Sequence, residues 1–211
     1  MTLNMGVADD QLGQYYRRTA AIADRLGKSL EFEAVMDALQ RIHDGQIDPV
    51  VIRVGEFSVW LEAEVGGKSK DELIALNKGV ERETSSYAAD IMSKDAWQPG
   101  QVEVVKFARV KVRELGFSKN PTTTELWARI EELGHSLCQP ADGPALGVAF
   151  KDQPKGDVCW MAMKQITDSD GDPSVFALGR GDGGERWLGA GWADPDGKWD
   201  LGHEIVFRLR K

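Results

Sequence analysis

The chain contains few cysteines and no long apolar run, and both absences exclude classes of protein. Its 211 residues include only Cys138 and Cys159, too few for a disulfide framework, so we expect two buried thiols. No window approaches the roughly 20 apolar residues that span a bilayer, and the start MTLNMGVADD has neither the basic nor the apolar part of a signal peptide. We therefore expect no membrane partner and a cytoplasmic location, with later display outside the cell left open.

Positive charges are fewer than negative ones. The chain has 26 Lys and Arg against 34 Asp and Glu, a formal net charge of -8 and a pI near 5.0. Binding to nucleic acid or to an anionic membrane surface depends on clustered Lys and Arg. We therefore expect no nucleic-acid partner, and the composition leaves the oligomeric state open.

Signatures of catalysis and of transition-metal binding are missing as well. The three histidines, His43, His135 and His203, lie in no recognisable nucleophile-and-base motif. The glycines of GRGDGG lack the preceding strand and following helix of a phosphate-binding loop. His135, Cys138, Cys159 and His203 do not form the close ligand pairs of a zinc site. The sequence therefore predicts a protein that is not an enzyme and that holds no cofactor.

Aspartates alternate in the segment DSDGDPS. Asp168, Asp170 and Asp172 have the spacing of calcium loops, but Pro173 and Gly179 occupy the positions where an EF-hand has its glycine and bidentate glutamate. A polar turn joining two strands is the favoured interpretation, with calcium held by the three aspartates as the alternative. A hydrolase-like or carbohydrate-active enzyme that uses these aspartates is the second functional hypothesis.

Hydrophobic periodicity divides the chain into two parts. Residues 1–48 carry two apolar stripes at helical spacing, which predict a helical hairpin that ends at the DGQIDP boundary. Residues 49–211 predict an α+β domain with a mixed, largely antiparallel sheet and flanking helices. Strands are expected at 50–61, 101–112, 145–150, 157–164 and 204–211. Helices are expected from the Ser69/Glu72 capping box to Gly79, at 87–92, and from the Thr122/Glu125 capping box to Gly134. Loops are expected to dominate residues 167–203.

The stretch WLGAGWADPDGKW, residues 187–199, places three tryptophans among small residues. Removing a buried aromatic anchor costs about 3 to 5 kcal/mol, whereas a change in an exposed loop usually stays within about 0.5 kcal/mol. Fixed rings can therefore support loops whose residues vary. This argument predicts a binding face in the loops from 177 to 203, formed by Ala177, Gly179, Gly181, Asp182, Trp187, Gly189, Ala190, Gly191, Trp192, Asp194, Gly197, Trp199, Asp200, Gly202 and His203.

Four residue types of this set share one property in the genetic code. Gly, Ala, Asp and His can each be reached from an asparagine codon by replacing adenine at the first position, the second, or both. The tail VFALGRGDGGERWLGAGWADPDGKWDLGHEIVFRLRK resembles the diversified tail of a variable protein from a diversity-generating retroelement, a group whose chains end in an F-R-x-R strand. Two other segments, LGHSLCQPADGPALGVAFKDQP and ITDSDGDPSVF, resemble those of uncharacterised bacterial proteins.

The retroelement resemblance implies a fold and a function. The fold would be a C-type-lectin-like domain, whose second helix is resembled by the one that Pro121, Thr122 and Glu125 introduce. The function would be non-catalytic binding of a protein or a glycan by a diversifiable face. A purely structural, turn-rich tail, in which the rings plug a small sheet, is the alternative that the same composition allows.

Overall fold

The computed structural model describes residues 57–210, which lie within one compact unit of the chain, Arg53–Lys211. The predicted hairpin at 1–48 lies outside the described residues. The helices are α1 (Lys70–Gly79), α2 (Ser86–Ile91), α3 (Thr123–Glu132) and α4 (Asp142–Ala149), with a 3-10 turn at Val112–Leu115. The strands are β1 (Leu61–Val65), β2 (Arg82–Thr84), β3 (Glu103–Lys111), β4 (Val158–Met161), β5 (Ile166–Thr167), β6 (Pro173–Arg180), β7 (Arg186–Trp192) and β8 (Glu204–Arg208).

All eight strands join one sheet in the order β1-β3-β8-β4-β6-β7-β2, and β5 pairs with β6. The β4–β8 and β2–β7 pairs are parallel, and the other pairs are antiparallel. The predicted α+β class and the mixed, largely antiparallel sheet are therefore confirmed. Strand β8 lies in the middle of the sheet, between β3 and β4.

Local capping signals place the helices where the sequence predicts them. The Ser69 backbone N–H donates to Glu72 Oε2 at 2.7 Å, and the Thr122 N–H donates to Glu125 Oε2 at 2.7 Å. Both capping boxes are complete. Each satisfies donors that the start of a helix leaves without intrahelical partners. Three predictions are confirmed by these helices: the start of α1 at the Ser69 capping box, a short helix near 87–92, and α3 after the Thr122 capping box.

Residues 145–149 form part of α4 and Phe150 is its C-cap, so the prediction of a strand at 145–150 was wrong. Most of this short helix is buried, from Asp142 to Gly147. A buried helix is apolar on all sides and shows no amphipathic period, which makes a short one indistinguishable from a buried strand by pattern alone. The predicted strand at 50–61 is also wrong in its described part, because residues 57–60 are irregular and β1 begins at Leu61.

The prediction that loops dominate residues 167–203 missed two strands. Strands β6 and β7 form a long antiparallel hairpin in this segment, with Ala177 opposite Gly189 and Gly179 opposite Trp187. Glycine weakens an isolated strand and is usually a turn signal. Here the glycines lie at alternate positions of strands, where the rings described below cover them.

The two faces of the sheet are covered differently. Phe176 of β6 lies against Gly143 of α4, which places α4 on one face. Trp160 pairs with Ala177, one residue along from Phe176, and so belongs to the opposite face. There it contacts Trp199, which in turn contacts Trp127 of α3. The core therefore extends over both faces of the sheet.

A buried arginine ties these layers together. Arg82, fully buried, donates to the backbone carbonyls of Gly147, Phe150 and Gly179 and to the Gln153 side chain. Burial lowers the pKa of Arg82 to about 10, so the guanidinium remains protonated at neutral pH. Its neutral acceptors satisfy the donors of the buried cation and join α4 to the sheet.

Elsewhere in the described range, Cys138 and Cys159 are free and buried, as predicted. Burial raises the pKa of both thiols, which holds them in the neutral form. None of the helices within residues 57–210 has both the length and the apolar character needed to cross a membrane.

Candidate functional site

Tryptophan rings lie directly on glycines of the β6–β7 hairpin. A β-carbon at Gly179 would overlap the six-membered ring of Trp187, and one at Gly189 would lie 3.0 Å from the same ring. On β4, the ring of Trp160 would lie 2.6 Å from a β-carbon at Gly191. Glycine is needed at these positions because the rings approach the strand backbone where a side chain would otherwise begin.

A small cleft lies beside this hairpin, bounded by aromatic rings. The centroids of Trp160 and Trp199 are 5.6 Å apart with their planes at 80°, and those of Trp199 and His203 are 5.8 Å apart at 85°. Trp199 is 5% exposed, whereas Trp192, the last residue of β7, is 62% exposed. The lining of the cleft therefore includes one buried tryptophan and one that is largely exposed.

The cleft has a volume of about 120 Å³. Pockets that enclose drug-sized ligands have volumes of roughly 300 to 1,000 Å³. The cleft is smaller than these pockets, so it can hold only part of such a ligand. Its lining is formed by Thr123, Trp160, Trp192, Ala193, Asp194, Gly197, Lys198, Trp199 and His203.

The N-terminus of α3 holds the loop that forms one wall of the cleft. The Thr123 backbone N–H donates to the Gly197 carbonyl at 3.0 Å, and the Thr124 N–H donates to the Pro195 carbonyl at 3.1 Å. The Trp199 indole N–H donates to Thr123 Oγ1 at 2.9 Å. Donors that the first turn of a helix leaves free are thus satisfied by the loop, which fixes the buried indole in one position.

Aspartate side chains shape the turns within the same loop. Asp194 Oδ1 accepts the Asp196 backbone N–H at 2.8 Å, and Asp200 Oδ1 accepts the Gly202 N–H at 2.7 Å. These are Asx turns, in which a short carboxylate replaces a backbone acceptor. The aspartates of the tail therefore have a structural use that the sequence interpretation did not assign to them.

Charge around the cleft is mixed. The lining contains one acidic residue, Asp194, and one lysine, Lys198. Near the cleft, hydrogen bonds from the Thr122 backbone and side chain lower the pKa of Glu125, and the positive charge of Lys198 makes a smaller contribution in the same direction. Residues 193–203 include three aspartates and one lysine, so the loop carries net negative charge.

Five residues of the predicted binding face lie together in this cleft. They are Trp192, Asp194, Gly197, Trp199 and His203. The other predicted residues lie elsewhere: Ala177, Gly179 and Gly189 are buried in the hairpin, with Trp187, Ala190 and Gly191 also on β7. Gly181 and Asp182 lie in the turn between β6 and β7, and Asp200 and Gly202 in the turn before β8. The structure thus brings together one part of the predicted set, near its C-terminal end.

Four residues of the cleft are missing from the predicted set: Trp160, Thr123, Ala193 and Lys198. Trp160 alternates with the buried Cys159 and Met161 along β4, but residues 158–162 are all apolar, so the sequence contained no sign of which face the tryptophan occupies. Thr123 belongs to the capping segment of α3, and its proximity to Gly197 depends on a contact between distant parts of the chain.

The DSDGDPS segment forms a polar turn, the favoured interpretation. Asp168 Oδ1 accepts the backbone N–H groups of Asp170 and Asp172 at 3.0 and 2.9 Å, and Ser174 donates to Asp168 Oδ2 at 3.3 Å. Among residues 57–210, no group of three or more His, Cys, Asp or Glu side chains is arranged to hold a metal ion. Calcium binding by Asp168, Asp170 and Asp172 stays an untested alternative.

Comparison with known proteins gives no match to a protein-family model, to a curated protein or to a solved structure.

Proposed function

We propose that this protein is a non-catalytic ligand-binding protein and that its ligand contacts the aromatic cleft. One observation carries the proposal: five residues expected to bind line a single cleft, among them the exposed Trp192 and the buried Trp199. Aromatic side chains supply much of the energy of binding sites, because a large apolar area becomes buried with little loss of rotamer entropy.

The fixed position of the loop favours the same function. Hydrogen bonds from Thr123 and Thr124 hold the backbone at Gly197 and Pro195. A ligand would therefore not have to order this wall of the cleft, and ordering is one of the main costs of association.

The dimensions of the cleft restrict how a protein or glycan could bind. A volume of about 120 Å³ is close to that of an apolar cavity of about 150 Å³ that holds one benzene ring. We expect one side chain, sugar ring or head group to enter the cleft. The remainder of the ligand would lie against the exposed indole of Trp192 at the rim.

The experiment is ligand-observed saturation-transfer NMR with a fixed panel of probes. The panel contains methyl α-glucoside and N-acetylglucosamine for glycans, N-acetyltryptophanamide for proteins, and tetramethylammonium for cations. We expect saturation transfer to at least one class with the wild-type protein and its loss in Trp192→Ala. Tyr87→Ala is the matched control, because Tyr87 and Trp192 are both 62% exposed and Tyr87 does not line the cleft. Absence of Trp192-dependent binding across the panel would overturn the proposal.

We further propose that the binding face belongs to a diversified tail in a C-type-lectin-like domain, as the resemblance implies. Asp182, Asp200 and His203 are exposed, and exposed loop positions accept substitution at little cost in stability. The variable set would exclude Gly179 and Gly191, where a side chain would collide with a ring.

The coding DNA tests this proposal: asparagine-derived codons at the exposed positions, with a near-copy of the tail beside a reverse transcriptase gene, would support it. Absence of that copy would overturn it.

A further inference from the structure

A second cavity lies between the C-terminal half of α1 and the edge strand β2. It has a volume of about 420 Å³, within the roughly 300 to 1,000 Å³ of sites that enclose small ligands. Its lining contains three cationic side chains, three glutamates, one isoleucine and one threonine, and it shares no lining residue with the aromatic cleft. The two cavities are therefore separate candidate sites.

The buried arginine of this cavity lacks the carboxylate partners that a buried arginine has elsewhere in the sheet. On β3, Arg109 pairs with the carboxylates of Asp157 and Glu204. Within residues 57–210, the fully buried Arg82 donates to backbone carbonyls and to the Gln153 side chain, all of them neutral acceptors. Buried charges are normally paired with a charge of opposite sign. The positive charge of Arg82 is thus hydrogen-bonded but not neutralised.

Two further arginines add to this positive charge. Arg186, which lines the cavity, and Arg180 also donate to backbone carbonyls. Burial is the main cause that lowers the pKa of Arg82, and the positive charges of Arg186 and Arg180 lower it further. The guanidinium groups therefore repel one another, and an anion beside them would relieve this repulsion.

Two of the three glutamates direct their carboxylates away from the arginines. Glu83 follows Arg82 along β2, so its side chain lies on the opposite face of the strand. The carboxylate of Glu185 lies over the β6–β7 turn, where its Oε1 would be 2.0 Å from a β-carbon at Gly181. Neither carboxylate compensates the buried charge.

The third glutamate neutralises its neighbour weakly. Glu81 Oε2 is 3.8 Å from Arg186 Nη2, and the Glu81 side chain is 92% exposed. Ion pairs of this kind contribute little, because water screens them. Lys78, in the last turn of α1, adds an ammonium group to the same lining.

A hydroxyl group of the lining lacks a partner. Thr84 lies two residues after Arg82 on β2 and therefore shares its face. Its Oγ1 is buried and has no hydrogen-bond partner within residues 57–210. A buried polar atom without a partner is costly, and an oxyanion in the cavity offers the acceptor that this hydroxyl lacks.

We propose that this cavity binds a small organic anion through a carboxylate or phosphate group. Arg186 and Lys78 contact the oxyanion, the Thr84 hydroxyl donates to it, and the buried charge of Arg82 favours it. A guanidinium group suits this role because its planar donors match the oxygens of carboxylates and phosphates. The site does not depend on the function proposed for the aromatic cleft.

The test is a titration of ¹⁵N-labelled protein with benzoate and with phenyl phosphate, followed through the backbone amide signals. Benzyl alcohol is the neutral probe, benzylammonium is the cationic probe, and sodium chloride at equal ionic strength controls for salt. We expect saturable shifts at Lys78, Glu83 and Thr84 with at least one anion, while His203 of the aromatic cleft stays unshifted. Comparison of the two anions identifies the preferred head group. Benzyl alcohol should bind at least about tenfold more weakly, because it cannot form charge-assisted hydrogen bonds.

Three variants sharpen the result. Lys78→Gln should weaken anion binding about two- to fivefold, as expected for the loss of one exposed charge pair. Lys70→Gln is the matched control, because Lys70 lies at the other end of α1 and does not line the cavity. Glu81→Gln should strengthen anion binding by a similar factor, because it removes a carboxylate that competes for Arg186.

Several outcomes would overturn the anion site. They are the absence of saturable shifts with both anions, shifts centred on His203, benzyl alcohol or benzylammonium binding as tightly as the anions, and unchanged anion binding in both Lys78→Gln and Glu81→Gln. Trp192→Ala should leave anion binding unchanged. Failure of this site and failure of the aromatic cleft would therefore be distinguishable.

Discussion

The two ends of strand β7 use the same residue type in opposite ways. Trp187, at the start of the strand, lies across Gly179 and Gly189 and completes the packing of the hairpin. Trp192, at the end, is 62% exposed and lines the cleft. The difference shows that the surroundings of a tryptophan decide whether it stabilises the fold or offers a contact. The feature that distinguishes Trp187 from Trp192 is that the Trp187 ring lies on glycines.

The largest expected effect is at Trp199, the buried ring that joins β4, the loop and α3. Trp199→Ala should lower the free energy of unfolding by about 3 to 5 kcal/mol, because it leaves a cavity and removes the partner of Thr123. Denaturant unfolding followed by far-UV circular dichroism measures this loss. Trp199→Phe, which keeps an aromatic ring, should lose less, and an equal loss for both variants would contradict the packing argument.

A β-carbon added at Gly179 would overlap the ring of Trp187. We expect Gly179→Ala to lower the free energy of unfolding by about 1 to 3 kcal/mol through overpacking. Gly79→Ala is the matched control, because no heavy atom lies within 4 Å of a β-carbon there and alanine favours the helix; this variant should be neutral or slightly stabilised.

A double variant tests whether Trp187 is the cause. In the Trp187→Ala background, Gly179→Ala should cost much less, because the ring that the methyl group meets is gone. Thermodynamic cycles on the four proteins measure the coupling between the two positions. Additive losses would show that the ring does not determine the need for glycine.

The cap that anchors the cleft loop should respond to pH. Hydrogen bonds from Thr122 lower the pKa of Glu125 below its ordinary value of 4.5. Because the pKa of the folded state is the lower one, the ionised carboxylate stabilises the protein above about pH 4.5, and this contribution is lost as the pH falls through the folded-state pKa. The stability difference between wild type and Glu125→Gln should therefore shrink on acidification from pH 6 to pH 3 in urea titrations. A constant difference would contradict this assignment.

The smallest effect on stability is expected at Trp192. Trp192→Ala should change the free energy of unfolding by no more than about 0.5 kcal/mol, as is usual for exposed positions, although we expect it to abolish the proposed ligand binding. The thermal midpoint checks this expectation. A large decrease would place Trp192 with Trp187 in the framework and remove the contrast between the two ends of β7.

The sequence predicted those parts of the fold that depend on neighbours along the chain. The capping boxes at Ser69 and Thr122 lie within single turns of helix, so their residues were sufficient to place α1 and α3. The need for glycine at 191 depends on the ring of Trp160, which strand pairing brings from a distant segment. Glycine therefore resembled a turn signal, and the strand was predicted as a loop.

The candidate site was predictable to a similar extent. The clustering of tryptophan near the C-terminal end identified Trp192 and Trp199, because aromatic rings among small residues are a local signal. The contributions of Trp160 and Thr123 depend on sheet register and on the contact between α3 and the loop. No spacing rule links residues from such distant segments, so a single sequence could not predict them.

The central position of β8 has a consequence for synthesis. Strands β1 and β3 lie on one side of it, and β4, β6, β7 and β2 on the other, so in the described sheet only β8 connects the two halves. A ribosome must therefore complete Glu204–Arg208 before the two halves can pair into one continuous sheet. Until then each half presents an unpaired edge to other nascent chains, a period when chaperone binding would be most useful.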